Sequence, residues 1–143
     1  MNALVEHIEI RCVTSWNPEE IVDLYRAGGW WKDEYNPADL PRLIRGSFVF
    51  AVAIDGKTGR AIGMGRVISD GVSDGYIQDL VVDPRFRKQG IGAQLVAALV
   101  QKCRESGVLW IGLIAEPRTE QFYLPFGFHR MDGYVPLLLR SDP

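Results

Sequence analysis

The sequence predicts an α/β fold in which a mixed, mostly antiparallel sheet of six to seven strands carries about four helices on its two faces. Three apolar runs between residues 47 and 82 are joined by hairpin-length loops, which predicts an antiparallel meander. A strand, an amphipathic helix and another strand follow between residues 76 and 114. A right-handed crossover of this kind makes its two strands parallel. The run 47–54 is apolar on both alternating faces, so it is predicted to be a central strand covered on both sides.

The length of 143 residues indicates one domain spanning residues 1–143, and a composition of 47% hydrophobic and 24% charged residues indicates that it is globular. The net charge of −2 argues against nucleic acid as a partner, because a duplex binder usually shows a basic excess. The chain starts without a basic signal region and has no apolar window of the ~18 residues that a membrane span needs. A cytoplasmic protein without a membrane partner is therefore expected. Cys12 and Cys103 lack metal-ligand spacing and are expected to be buried free thiols, with no metal site.

The amino-terminal part reads as a strand followed by two helices. Residues 8–13 alternate between apolar and polar and predict the first strand. Asn17 can cap the helix that follows, and Pro18 suits its first position. A second short helix is predicted from Asn36 toward residue 46, with Pro41 causing a kink or a late start.

The loop between these helices is aromatic and acidic. Trp30 and Trp31 stand close to Glu34 and could form the wall of a pocket for an amine that carries an apolar body. The alternative is that the tryptophans simply seat the two helices on the sheet.

The rest of the chain continues the sheet. The meander strands are predicted at residues 47–54, 60–69 and 76–82, the crossover ends in a strand at 108–114, a short helix covers 119–124, and a final hairpin pairs 128–131 with 134–140. The crossover helix has Ile91, Leu95, Leu99 and Cys103 at four-residue spacing. Pro136 is awkward in a paired strand, because proline has no N–H to donate.

The turn between the strand 76–82 and the long helix is a candidate anion site. The first N–H groups of a helix have no partner within it, and the helix dipole places partial positive charge there. Gly90 and Gly92 let a ligand approach the backbone, and Arg87 and Lys88 add full charges. A Walker A loop would need Gly-Lys followed by Ser or Thr, and a dinucleotide fingerprint would need glycine in place of Leu95. Both classes are excluded, although a helix start with a merely solvated basic turn is an open alternative.

Two motifs resemble the GCN5-related N-acetyltransferase (GNAT) family. The pattern Arg87-x-x-Gly90-x-Gly92, entered from an apolar strand, resembles the family's acetyl-CoA loop. The segment 120–128, with Tyr123 before Gly127-Phe128, resembles its second signature, a short helix that carries a tyrosine. With the order of elements, the resemblance covers residues 8–140. Pro125 and Phe126 depart from the family pattern, which often has charged residues there.

The resemblance implies an acetyl-CoA enzyme with a splayed pair of parallel strands. It implies that the backbone of Leu80, Val81 or Val82 binds the thioester carbonyl and the pantetheine arm, and that the helix start binds the pyrophosphate. The predicted cofactor-binding residues are Leu80, Val81, Val82, Arg87, Lys88, Gln89, Gly90, Ile91, Gly92, Ala93, Phe122 and Phe126. Tyr123 resembles the family's general acid, which protonates the departing sulfur; the alternative is a ring packed on the sheet.

An ammonium acceptor must lose a proton before it attacks, so a general base is needed. Family members often have glutamate at the positions of Tyr76 or Gln78, and neither is acidic here. Asp79 is the acid inside that strand and is the predicted base, although a hydrogen bond to a neighbouring loop is an equal alternative. Glu116, Glu34 or a relay of water molecules are further candidates.

The predicted function is therefore acetyl-CoA-dependent N-acetylation of a small primary amine, an arylalkylamine or a polyamine, by direct attack in a ternary complex. Trp30, Trp31 and Glu34 are the predicted acceptor-binding residues. Acetylation of a protein N-terminus or lysine is one alternative, and a non-catalytic acyl-CoA-binding module is another. A homodimer is left open.

Overall fold

A computed structural model describes residues 7–140 of the chain. One sheet contains five strands in the order β1-β2-β3-β4-β5. They are β1 (Ile8–Cys12), β2 (Val49–Asp55), β3 (Ala61–Ser69), β4 (Asp74–Val82) and β5 (Trp110–Leu113). The α-helices among these residues are α1 (Pro18–Ala27), α2 (Leu40–Gly46), α3 (Ile91–Glu105) and α4 (Glu120–Tyr123).

The predicted meander and crossover are confirmed. Strands β1 to β4 are antiparallel neighbours in chain order. Helix α3 links β4 to β5, which lie side by side and parallel. Every residue of β2 is buried, as its two apolar faces predict. The sheet is thus mixed and mostly antiparallel.

The sheet has a helical layer on each face. Phe50, Val52 and Ile54 of β2 belong to the core cluster that includes the buried residues of α1 and α2. On the opposite face α3 lies so close to β3 that a Cβ on Gly63 would be 3.2 Å from Leu95 Cδ1. A Cβ on Gly65 would be 3.0 Å from Leu99 Cδ1. The small residues of β3 therefore allow close packing of α3.

The local signals at the first helices act as predicted. Asn17 Oδ1 accepts hydrogen bonds from the backbone N–H groups of Glu19 and Glu20 and caps α1. The segment Pro37–Asp39 is a 3₁₀ turn, and α2 begins only at Leu40. Pro41 thus occupies the first turn of α2, where its missing N–H has no helical partner to lose.

The predicted final hairpin is wrong. Residues 128–140 contain a turn, with Gly133 at φ 84° and a 3.1 Å hydrogen bond from Tyr134 N–H to the Met131 carbonyl, but this segment forms no strand. Pro136 interrupts any ladder there, since it has no N–H. The described residues consequently form five strands instead of six to seven.

The prediction for Cys12 is also wrong, because Cys12 is exposed while Cys103 is buried. Cys12 ends β1, an edge strand whose residues are half-buried or exposed. An alternating pattern in a strand does not reveal that the strand lies at the sheet edge.

The chain divides into two compact units, one up to Gly112 and one from Leu113 onward. The first contains β1 to β4 and α1 to α3, and the second contains α4. The single domain expected from the length stays a prediction. Between residues 7 and 140, no helix is long and apolar enough to cross a bilayer.

Candidate active site

The loop between β4 and α3 has an unusual backbone. The Asp83 carboxylate accepts a 2.9 Å hydrogen bond from Arg85 N–H and starts a 3₁₀ turn at Pro84–Phe86. Lys88 and Gly90 then adopt left-handed conformations, with φ of 64° and 78°, before α3 begins at Ile91. A left-handed lysine costs about 1–2 kcal/mol, so the loop holds a shape that its sequence does not favour locally.

The N-terminus of α3 is open. No side chain of the described chain caps it, and a Cβ built on Gly90 meets nothing within 4 Å. The N–H groups of the first helical turn therefore have no side-chain cap among the described residues and lie at the positive end of the helix dipole. Gln89 Oε1 is buried and has no hydrogen-bond partner among residues 7–140. The uncapped helix start itself suits a pyrophosphate.

The two basic residues of the loop differ in their contacts. Arg87 Nε donates a 3.1 Å hydrogen bond to the carbonyl oxygen of Val82, the last residue of β4. Arg87 therefore braces the loop against the strand end in addition to providing charge. Lys88 is exposed at the left-handed position next to the helix start.

Strand β4 has a bulge where the sequence predicts the carbonyl site. Met64 pairs with Val81 and Arg66 pairs with Gln78, so that two residues of β4, Asp79 and Leu80, lie opposite Gly65. Asp79 has φ 60°. An extra residue in a strand interrupts the ladder and leaves main-chain groups unpaired. Strand β4 is thus interrupted at Asp79 and Leu80, and Leu80 is one of the predicted backbone donors for the carbonyl.

The side-chain hydrogen bonds that the structure gives Asp79 come from α1 and β3 and not from a neighbouring loop. Asp79 Oδ2 accepts hydrogen bonds from Tyr25 Oη and from Arg66 Nε, each 2.8 Å long. Arg66 also donates from Nη2 to Gln78 Oε1 at 3.3 Å. Burial and the neighbouring Asp79 charge raise the pKa of Tyr25, so its phenol stays protonated. Sequence reasoning missed Tyr25 and Arg66, although an arginine inside the apolar run 61–68 was the available signal.

The aromatic loop leads away from this network. The Tyr25 ring lies 6.3 Å from the rings of both Trp30 and Trp31, and Trp31 lies 5.5 Å from Tyr35. Both tryptophans are half-buried against the core cluster, so each contributes to seating the helices. Tyr35 and Glu34 are exposed. This surface therefore has apolar rings with a carboxylate beside them.

Tyr123 lies in the second unit, within a small aromatic cluster. Its ring centroid is 4.9 Å from that of Phe122 and 5.9 Å from that of Phe128, and Phe122 lies 5.6 Å from Phe126. Burial raises the pKa of Tyr123, and the negative charge of Glu116 raises it further. The phenol is therefore protonated at neutral pH and can donate a proton.

Known proteins resemble this chain in sequence and in fold. The family model described as acetyltransferase (GNAT) family matches residues 7–128. Two chloroplastic plant proteins, the GCN5-related N-acetyltransferase 1 of Arabidopsis thaliana and the serotonin N-acetyltransferase 2 of Oryza sativa subsp. japonica, are each 39% identical over 72 residues, or 50% of this chain. The chain spans about a third of their length, 36% in both cases.

A solved GNAT-family acetyltransferase from Streptococcus pneumoniae has the same fold, with a TM-score of 0.77 and 26% identity over 94% of this chain and 99% of that one. The family match includes the bulged strand, the open helix start and the tyrosine segment. The chain therefore belongs to the GNAT acetyltransferase family, whose acetyl donor is acetyl-CoA.

Proposed function

We propose that the chain is an acetyl-CoA-dependent N-acetyltransferase that acts on the primary amine of a small molecule, an arylalkylamine or a polyamine. The observation that carries this proposal is the uncapped N-terminus of α3 directly after a bulged strand. The first feature suits a pyrophosphate, and the second suits a carbonyl oxygen that gains negative charge. Acetyl-CoA would supply the activated acetyl thioester.

Residues 87–93 hold the donor in this proposal. Backbone N–H groups from Lys88 to Ala93 bind the pyrophosphate, Gly90 leaves room for it, and Arg87 keeps the loop against β4. The backbone of Leu80, at the bulge, and of Val81 and Val82, which follow it, binds the acetyl carbonyl and the pantetheine arm. The apolar donor contacts expected of Phe122 and Phe126 stay a prediction from the sequence.

Tyr123 is the proposed general acid for the departing sulfur. Its environment supports this role, since burial raises its pKa and keeps the phenol protonated. Proton removal from the acceptor is assigned to Glu34, Glu116 or a relay of water molecules. The base role predicted for Asp79 stays a prediction. Asp79 Oδ2 already accepts hydrogen bonds from Tyr25 and Arg66.

Two facts support a small aromatic amine as the acceptor. The surface formed by Trp31, Tyr35 and Glu34 presents apolar rings beside a carboxylate, which suits an alkylammonium with an aromatic body. One relative carries the name of a serotonin N-acetyltransferase.

The cytoplasmic location expected from the sequence stays a prediction, because both plant relatives carry chloroplastic names.

The test is release of free thiol from acetyl-CoA, measured with serotonin, tryptamine, spermidine and a lysine-containing peptide. We expect turnover with the arylalkylamines, and a KM increase of about tenfold for Glu34→Gln, with Asp33→Asn as the matched control. Turnover with the lysine-containing peptide and with none of the small amines would overturn the small-molecule proposal. Tight acetyl-CoA binding without thiol release for any amine would identify a binding module instead.

A further inference from the structure

The bulge in β4 depends on a left-handed backbone conformation at Asp79. Asp79 stands at φ 60°, with Leu80 beside it opposite Gly65. A non-glycine residue in the left-handed region costs about 1–2 kcal/mol, and aspartate tolerates it better than most. Neighbouring groups must therefore hold Asp79 in place.

Two groups from different elements hold its side chain. Arg66 Nε on β3 and Tyr25 Oη on α1 both donate to Asp79 Oδ2 at 2.8 Å. Both partners are fixed themselves: Tyr25 belongs to the buried core, and Arg66 donates to Gln78 Oε1 at 3.3 Å and to Ser47 Oγ at 3.4 Å. The ion pair is mostly sheltered, with side-chain exposures of 16% for Arg66 and 21% for Asp79.

The next residue, Leu80, is fixed from the opposite face. A Cβ on Gly65 would lie 3.1 Å from Leu80 Cδ1 and 3.0 Å from Leu99 Cδ1, so the leucine side chain fills the space that Gly65 leaves between β3 and α3. Asp79 is thus anchored on the α1 face and Leu80 on the α3 face. The peptide between them has little freedom to rotate.

From these contacts we infer that Arg66 and Tyr25 are positioning residues: by binding Asp79 Oδ2 they hold the bulge and fix the direction of the Leu80 amide. This inference rests on the proposed function, in which that amide binds the acetyl carbonyl. Asp79 then serves as the anchor point of the bulge instead of as the general base. A donor amide turned away from the carbonyl oxygen no longer stabilises its developing charge, which lowers kcat more than it raises KM.

The experiment is a double-mutant cycle on kcat, using Arg66→Met with and without Asp79→Gly. Glycine adopts a positive φ without an anchor, so the Arg66 guanidinium is no longer needed to hold the bulge once Asp79 is replaced. We expect Arg66→Met to lower kcat at least tenfold in the wild-type background and less than about twofold in the Asp79→Gly background, with the KM for acetyl-CoA within about threefold throughout. Equal losses in both backgrounds would overturn the inference.

The pH profile separates anchoring from base catalysis. If Asp79 were the base, Asp79→Gly would remove the acidic limb of the kcat profile; the inference expects that limb to persist.

Tyr25→Phe, with and without Asp79→Gly, repeats the cycle with a milder change in case Arg66→Met does not fold. A wild-type protein that binds acetyl-CoA but never turns over would overturn the proposed function and this inference with it. If the wild type is active and the effects of the two substitutions on kcat are additive, the inference is overturned and the proposed function stands.

Discussion

The phenol of Tyr123 gives the first prediction at the scale of a single residue. Burial and Glu116 raise its pKa above the ordinary tyrosine value, so the acid form persists through neutral and mildly alkaline pH. We expect kcat to fall only as pH rises above about 10, where an ordinary tyrosine is half ionised. Tyr123→Phe should lower the plateau about 100-fold and abolish that alkaline fall, measured as thiol release across pH 7–11.

Tyr134 provides the matched control, since it lies in the same unit and is 75% exposed. Tyr134→Phe should leave kcat and its pH profile unchanged. A Tyr123→Phe variant with the wild-type profile would remove Tyr123 from the mechanism and favour the alternative, a packed ring.

The raised pKa of Tyr25 predicts that the stability of the folded chain depends on pH. Its folded-state pKa is raised by burial first and by Asp79 second, so the unfolded chain releases this proton at lower pH than the folded one. The stabilisation is therefore complete below about pH 10, the unfolded value, and is lost as pH rises above it. The stability difference between wild type and Tyr25→Phe, from urea unfolding, should shrink between pH 9 and 11. A constant difference over that range would contradict the assigned cause.

Individual residues of the site could be predicted only where local sequence decides their conformation. Gly90 was predictable because a tight turn into a helix favours glycine there. The network of Asp79 was not, because Tyr25 precedes it by 54 positions and only the packing of α1 on the sheet brings them together. Contacts between distant segments leave no local pattern in a single sequence.

At the scale of an element, α3 offers a test of the helix start with an internal control. Gly90 and Gly107 flank the helix at opposite ends, both are left-handed with φ of 78° and 81°, and neither has an atom within 4 Å of a built Cβ. Alanine at either site should cost about the same stability, about 1 kcal/mol. Only Gly90→Ala should weaken acetyl-CoA binding, by at least tenfold in calorimetry, because its methyl group occupies the space beside the first N–H groups.

The two glycine variants together exclude a general effect on the helix. Comparable loss of acetyl-CoA affinity in Gly107→Ala would mean that destabilised α3, and not a blocked helix start, reduces binding. Unchanged affinity in Gly90→Ala would place the pyrophosphate elsewhere.

Elements were predictable where periodicity and caps agree. Strand β2 has apolar residues on both faces, α1 has Asn17 and Pro18, and all three features act as the sequence predicts. The segment 128–140 has alternating apolar residues and a good turn at Gly133, yet it forms no strand. A strand needs a partner, and alternation alone supplies none, least of all with Pro136 interrupting the donors.

At the scale of the whole molecule, a hydrogen bond and close packing connect the bulge to the helix start. β4 enters the loop, Arg87 ties the loop to the carbonyl of Val82, and α3 packs through Leu95 and Leu99 on the glycines of β3. A donor that spans the helix start and the bulge therefore binds groups on two elements that pack on the same strand, β3. Such a ligand should stabilise the folded chain as a whole.

Acetyl-CoA at 100 times its dissociation constant should add about 2.7 kcal/mol to the free energy of unfolding, and for a chain of this size about 5–10 °C to Tm. Acetyl-pantetheine has the thioester and the arm but no pyrophosphate. Because the uncapped amides of α3 would stay unpaired, the same concentration of acetyl-pantetheine should raise Tm by less than about 2 °C. Gly90→Ala should reduce the response to acetyl-CoA toward that smaller value. Equal shifts from both ligands in differential scanning fluorimetry would show that the helix start contributes no binding energy.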